Sequence, residues 1–295
     1  MIELRTVESA ADVVAWAALK SIVVPNEPAT AEQVRASDEP GRLLLLAERD
    51  GELAGCGIGA PSSFGGRAFI AARVLPEHRR LGVGTALVRA LSEHGRALGR
   101  EGVNAFVYAD EPHSIAFAEG LGLREVDYQL EQVCVVGDEA PPIVPDGIEL
   151  VALAGRREEL LNALWPVALQ GYADMPVPGE VSYELEQWLR AEATRPDGSF
   201  AAFAGDVPVG YAGLIEHASG PATAEHGLTV VDRRQRGHGI ARALKQAQLH
   251  WAARNGVGRL ITWTQKGNEA MQALNRSLGY DDVSKVLTYQ GPLPA

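Results

Sequence analysis

Cysteine is scarce in this chain: Cys56 and Cys134 are the only two among 295 residues, and they stand far apart. Two isolated thiols supply neither a disulfide framework nor a metal cluster. Long apolar runs are also missing; the longest are pieces such as Leu43 to Ala47, far short of the ~20 residues a membrane span requires. The opening Met1-Ile2-Glu3-Leu4-Arg5 becomes charged too early to form the apolar core of a signal peptide. Positive charge is in deficit, 27 Lys and Arg against 38 Asp and Glu, for a net charge of −11. A surface of that sign repels polyanions, which argues against a nucleic-acid partner. What is present, 46% hydrophobic and 22% charged residues, is the composition of a packed globular protein. At roughly 150 residues per domain, the length suggests two of them. The expectation is a soluble, cytoplasmic protein with no membrane and no nucleic-acid partner.

The two halves repeat one pattern. Ile2-Glu3-Leu4 recurs as Ile148-Glu149-Leu150, after a Pro/Gly/Asp-rich stretch at 137–147 that reads as a linker. Val74, Arg79, Gly82 and Gly84 are echoed by Val231, Arg236, Gly239 and Ala241, and Leu121-Gly122-Leu123 by Leu278-Gly279-Tyr280. Val74 and Val231 lie 157 positions apart, as do Gly122 and Gly279, so the later parts of the repeats align without a gap. The Ile-Glu-Leu starts are 146 apart, which places 11 extra residues early in the second repeat. The expected domains are 1–138 and 147–295, joined by a linker at 139–146.

Each repeat alternates strands and helices. In the first, apolar spacing predicts a helix from Ser9 to Val24, strands Arg42 to Arg49 and Glu52 to Ile58 about an Asp50-Gly51 turn, and a strand Ala68 to Leu75. A helix Gly84 to Leu98, a strand Val103 to Tyr108, a short helix Ser114 to Gly120 and a last strand Tyr128 to Val136 follow. The second repeats this order, with helices within Arg156 to Gln170 and Ser182 to Ala193, then strands Phe200 to Ala204, Val209 to Ile215 and Leu228 to Val231. A helix Ile240 to Asn255, a strand Arg259 to Thr264 and a helix Asn268 to Leu278 complete it. The fold class is α/β, a sheet covered by helices in each domain.

A strand ending at Val231, the loop Arg236-Gly237-His238-Gly239-Ile240-Ala241 and a following helix together make a candidate anion site. Unpaired N–H groups at a helix start attract negative charge, and small residues let a phosphate approach the main chain. The alternative is that Gly239 only eases a tight strand-to-helix turn. No Gly-Lys-Ser/Thr follows either loop, and neither has the three-glycine dinucleotide spacing, so two common nucleotide cradles are excluded.

These residues resemble the GNAT superfamily of acetyl-CoA-dependent N-acetyltransferases, whose signature is Arg/Gln-x-x-Gly-x-Gly/Ala. Arg79 to Gly84 and Arg236 to Ala241 both fit it, and Asn268 through Leu278-Gly279-Tyr280 fits the later Asn and Leu-Gly-Phe/Tyr motif. The tandem layout is similar to that of mycothiol synthase. The resemblance implies two GNAT-like domains, each a mixed, mostly antiparallel sheet flanked by helices and splayed between its fourth and fifth strands. It further implies acetyl-CoA as co-substrate, with pyrophosphate on the N–H groups of Gly237, His238, Gly239, Ile240 and Ala241 and with Arg236 and Asn268 nearby. The backbone N–H at Val231 would polarise the thioester carbonyl. In the first repeat Arg79, Gly82 and Gly84 are the matching cofactor residues. No metal is implied; His226 and His238 lack companion ligands.

Many family members take the amine's proton with a Glu six residues before that valine. Glu225 stands there, whereas the first repeat has Ala68. The family's usual acid, a Tyr four residues before the Leu-Gly glycine, is replaced by Asn275 and Ala118, leaving Tyr289, Tyr211 or water as proton source. Tyr280 reads as core. Trp165, Tyr172 and Trp188 read as packing aromatics or acceptor contacts, and Asp174, Glu180 and Glu184 as solvated charges or attractors of a cationic amine. The expected function is acetyl transfer to a primary amine of a small molecule in the second domain, with Glu225 and Val231 as catalytic groups and the first domain non-catalytic. The alternatives are an acyl-CoA-binding regulatory protein without transfer and a mycothiol-synthase-like enzyme.

Overall fold

The computed structural model describes residues 1–25, 27–62, 66–176 and 184–295. In chain order, the first repeat contains β1 (Ile2–Thr6), α1 (Ala10–Val23), α2 (Ala31–Ala36), β2 (Leu43–Arg49), β3 (Glu52–Pro61), β4 (Ala68–Val74), α3 (Val83–Ala97), β5 (Gly102–Tyr108), α4 (Pro112–Gly120) and β6 (Arg124–Val135). The second contains β7 (Ile148–Ala152), α5 (Arg157–Ala173), α6 (Leu185–Ala191), β8 (Phe200–Ala204), β9 (Val207–Glu216), β10 (Thr223–Val231), α7 (Ile240–Arg254), β11 (Arg259–Gln265), α8 (Glu269–Ser277) and β12 (Asp281–Pro292). Caps set several boundaries: Ser9 and Asp12 form a capping box that starts α1, and Thr30 and Gln33 do the same for α2. The Asp50-Gly51 hairpin turn has both residues at positive φ, 54° and 86°, the twist that a two-residue hairpin favours.

The sequence reading missed α2, β1, β7 and β12, and placed the start of β10 five residues late. β10 opens with Thr223-Ala224-Glu225-His226-Gly227, a polar, glycine-containing stretch with weak strand preference that sheet pairing nevertheless extends. β12 begins Asp281-Asp282 and contains Ser284 and Lys285, which hid its apolar second half.

The chain forms two compact units, Met1–Asp127 with Val286–Ala295 (unit 1) and Tyr128–Lys285 (unit 2). Unit 1 has the strand order β1-β2-β3-β4-β5-β12, and unit 2 the order β6-β11-β10-β9-β8-β7. In unit 1 the closing strand β12 runs antiparallel to β5, Tyr289 opposite Ala105. In unit 2 the closing strand is β6, antiparallel to β11 with Cys134 opposite Leu260. Each unit is thus completed by the last strand of the other repeat, so the compact units divide after Asp127 rather than at the sequence linker.

Both sheets are mixed. In each, the fourth and fifth strands are parallel over a short stretch only: Ala68–Phe69 with Val103–Asn104 in unit 1, and Thr223–Glu225 with Arg259–Ile261 in unit 2. The other paired strands are antiparallel. The core of unit 1 gathers Trp16, Leu19, Leu44 and Leu46, with the Trp16 indole donating to the Gly57 carbonyl at 3.0 Å. In unit 2, α5 packs Leu161, Leu164 and Val167 against Tyr211, Leu228 and Val230 on one sheet face, while α7 packs Leu244 and Leu249 on the other. Among the described residues no helix is long and apolar enough to cross a membrane.

Candidate functional site

Parallel pairing of β10 with β11 ends at Glu225, while β10 stays paired with β9 as far as Val231. A register shift between His226 and Thr229 marks a β-bulge on the β9 side. Ala224 packs with Leu249 of α7, Leu228 and Val230 with α5, and Val231 with Ile240 and Leu244. Alternation from these anchors puts Glu225 on the α5 face, half-buried, and His226 on the α7 face. Asp232 donates its backbone N–H to Val209 at 2.8 Å, so its neighbour Val231 turns its own N–H away from β9 and toward the opened side of the strand.

Below this opening, the loop enters α7 through Gly237 and Gly239, at φ 80° and 83°. The left-handed conformation at Gly239 caps the helix without any side chain, and the first turn of α7 carries no acid. The first-turn N–H groups from Ile240 onward are therefore available to an anion from outside, with the helix dipole adding to the field. Ile240 is buried and anchors the turn, whereas His238 is exposed, its Nδ1 lying 3.2 Å from the Gln235 carbonyl. Asn268 caps α8 with its backbone, its carbonyl accepting from Gln272 at 3.1 Å. These features fit a pyrophosphate-bearing thioester: an uncapped helix start for the phosphates, and an unpaired strand edge for an extended arm.

Arg236 has further work to do. Its Nε donates to the Val231 carbonyl at 3.0 Å and its Nη2 to Asp174 at 2.7 Å. Arg233 bonds the same carboxylate, and the two guanidiniums hold Asp174 down at about 2. Asp174 is thus ion-paired to the loop from an exposed position. Glu184 caps α6 together with Gln187, and Glu180 lies outside the described residues.

Glu192 emerges only in three dimensions. Its carboxylate accepts from the Leu228 backbone N–H at 3.1 and 3.2 Å and from the Tyr211 hydroxyl at 3.0 Å. It fills space that Cβ atoms on Gly213 and Gly227 would occupy, only 2.6 and 2.3 Å from its Oε2. Burial pushes the Glu192 carboxyl above its usual range, against the pull of Leu228 and Tyr211. Glu192 therefore clamps the β10 bulge on the face that carries Glu225. The only sequence signal was the pair of strand glycines, which mark a close approach.

Tyr211 is committed to Glu192, and burial raises its hydroxyl well above the ordinary tyrosine value. Tyr289 belongs to unit 1, on β12, 3.4 Å from Glu119. Tyr280 is buried and its hydroxyl lies 2.6 Å from His226 Nε2. Asn275 is buried, its Nδ2 donating to Gln132 at 2.8 Å. Trp188 packs at 5.3 Å against Trp165, the rings tilted by 41°, and 5.7 Å from Tyr211, while Trp165 lies 6.4 Å from Tyr172; Trp188 and Tyr172 thus belong to the core, with Trp165 partly buried against it.

In unit 1, Gly82 caps α3 at φ 86° without a side chain, and Arg79 Nε reaches the Val74 carbonyl at 3.3 Å. Gly84 faces Phe117, whose ring would lie 3.3 Å from an added Cβ. Ala68, at the position matching Glu225, is buried.

A model of the acetyltransferase (GNAT) family matches residues 11–123 and again 158–280. The chain is 31% identical over 293 residues to the mycothiol acetyltransferase of Nocardia farcinica, covering 94% of this chain and 88% of that one. It is 28% identical to the mycothiol acetyltransferase of Kocuria rhizophila, covering 89% of each. Among solved structures, a GCN5-related N-acetyltransferase from Sphaerobacter thermophilus shares the fold with a TM-score of 0.81 at 22% identity, over 100% of this chain and 96% of that one. A tandem GNAT protein from the clavulanic acid biosynthesis pathway does so with a TM-score of 0.76 at 20% identity, over 100% and 99%.

Proposed function

Because the chain belongs to the GNAT acetyltransferase family, we propose that unit 2 transfers the acetyl group of acetyl-CoA to a primary amine of a small molecule. One observation carries this reading: unit 2 combines an opened strand edge, an uncapped helix start and a carboxylate on the same strand, whereas the matching position of unit 1 is Ala68. The bound thioester supplies an activated acyl carbon. Ile240, Ala241 and the two glycines, Gly237 and Gly239, receive the phosphates, and Arg236 holds the strand end through the Val231 carbonyl. The Val231 N–H, turned to the opening, stabilises charge developing on the carbonyl oxygen. Asn268, at the start of α8, orients the arm.

A primary amine has a pKa near 10, so about one molecule in a thousand is nucleophilic at neutral pH. Glu225 removes the proton, directly or through one water. That proton is the one the departing sulfur requires, so the Asn at 275 leaves the balance intact.

The mycothiol acetyltransferase relatives favour their own acceptor as the first amine to try, since the similarity runs along nearly the whole chain. Asn275 favours the competing reading, an acyl-CoA-binding protein without transfer. Labelled acetyl transfer onto a panel of amines, including that acceptor, separates them. Turnover that falls by about 10² or more in Glu225→Gln is the expected result. Tight acetyl-CoA binding with no turnover on any amine would establish the binding protein instead.

A further inference from the structure

Unit 1 carries an open cleft of about 260 Å³ on the α1 face of its sheet, lined by Ile58, Ala60, Pro61, Phe69 and Phe106. Pairing fixes the face. Ile58 packs against the Trp16 cluster of α1, Ala60 is the next residue on that side of β3, and Phe69 of β4 lies opposite Ala60. By pairing, Phe69 also holds the place that Glu225 holds in unit 2, for each is the last residue of its strand in the short parallel ladder. The cleft therefore has a phenyl ring where unit 2 has a carboxylate, and no base stands there to take a proton.

Its polar groups stand at the two ends of one row across the sheet. Leu43 pairs with Gly59, so Arg42 is level with Ala60, which pairs with Phe69, which pairs with Asn104. Arg42 lines the cleft with a side chain only 8% exposed. Its Nη1 donates to the Ser37 hydroxyl and its Nη2 to the Val34 carbonyl, both at 2.7 Å, neutral acceptors that leave part of the five-donor fork open. The nearby carboxylates are in water: Asp38, 4.0 Å from Nε, is 81% exposed, and Glu39 is exposed at the mouth. At the other end Asn104 is buried; its Nδ2 donates to the Ser62 hydroxyl at 3.2 Å, and its Oδ1 has no partner. Phe69 and Phe106 cover the space between, their rings 5.7 Å apart and tilted by 36°.

The row spans about 14 Å from β2 to β5, three strand spacings. Less the reach of the Arg42 side chain, that is the length of one aromatic ring with a short acid chain. The volume, below the ~300–1,000 Å³ of drug-sized sites, sets the same limit. The complement of the cleft is a ring against the two phenylalanines, a carboxylate for the guanidinium and a hydroxyl donor for the Asn104 carbonyl. We propose that unit 1 binds a small phenolic acid in this cleft, its carboxylate on Arg42, its ring on Phe69 and Phe106 and its hydroxyl on Asn104. Binding there needs no acetyl-CoA, and no bond forms or breaks.

Calorimetric titration of the full chain with 3-(4-hydroxyphenyl)propionate, its amide and 3-phenylpropionate tests this. The hydroxy acid should bind at least about tenfold more tightly than the amide, which lacks the charge, and about threefold or more better than 3-phenylpropionate, which lacks the hydroxyl. Phe106 is 41% exposed, so Phe106→Ala should keep the fold while weakening the hydroxy acid by about fivefold or more. Arg42→Met should erase the preference for the acid over its amide. If that variant fails to fold, the acid and amide comparison in the natural protein decides alone. Equal affinity of the hydroxy acid and either comparison compound, binding that Phe106→Ala leaves intact, or no binding of any of the three would overturn the proposal.

Discussion

In unit 2 both left-handed positions of the loop are glycines, Gly237 and Gly239; in unit 1 the first of them is Arg80, at φ 61°, and only Gly82 is glycine. The backbone plan is otherwise shared. An arginine Nε reaches the preceding valine carbonyl in both, and both helices start without a capping side chain. The surroundings differ. Unit 1 has buried Ala68 on its fourth strand and Phe117 against Gly84, while unit 2 has Glu225, the Glu192 clamp and the Asp174 ion pair. Loop geometry is thus retained where the strand carboxylate is not, which teaches that the loop backbone and the residue six positions before the valine vary independently within one fold.

The largest expected difference between the units comes from valine at the helix caps. Gly239→Val forces a β-branched residue to φ 83° and crowds the phosphate approach, so acetyl-CoA-dependent turnover should become undetectable. Gly82→Val, equally strained, should leave turnover in place. Equal losses would make both units part of one catalytic requirement and break the comparison.

Next in size is Glu225→Gln, which keeps the shape of the side chain and removes the base. The turnover rate should fall by about 10² or more with CoA affinity nearly intact, and the deficit should narrow as pH rises and solvent supplies free amine. A deficit independent of pH would make Glu225 an electrostatic guide for the acceptor.

Replacing the clamp should act mainly on stability. Glu192→Ala leaves the Leu228 N–H and the Tyr211 hydroxyl unpartnered, a loss of roughly 2–4 kcal/mol measurable by urea unfolding. Glu192→Gln keeps acceptor and donor in place. Because burial raises the Glu192 pKa, its contribution is greatest below the ordinary carboxylate range and is lost as pH rises through the raised value. The Gln variant should therefore gain in melting temperature relative to the natural protein as pH rises from the ordinary carboxylate range through the raised value; a gap of constant size would show that Glu192 does not titrate over that rise.

The smallest effect belongs to Arg80→Gly, which relieves the left-handed strain in unit 1. It should stabilise the protein by up to about 1 kcal/mol and leave turnover untouched. Any gain in turnover would give unit 1 a role in catalysis.

The repeat register and the glycine loops were legible in the amino-acid sequence, because tight turns and helix starts impose local residue choices that survive as spacing; Glu225 was singled out through the family resemblance alone. Most strands and helices followed from apolar period for the same reason, with bounds off by a few residues. The sequence could not show that β6 closes unit 2 and β12 closes unit 1, since a strand carries no mark of which partner it will pair with. That pairing places Tyr289 in unit 1. Glu192 reached the bulge by way of α6. Such meetings join residues 19 to 36 positions apart, through side-chain directions and close packing that only the folded chain specifies.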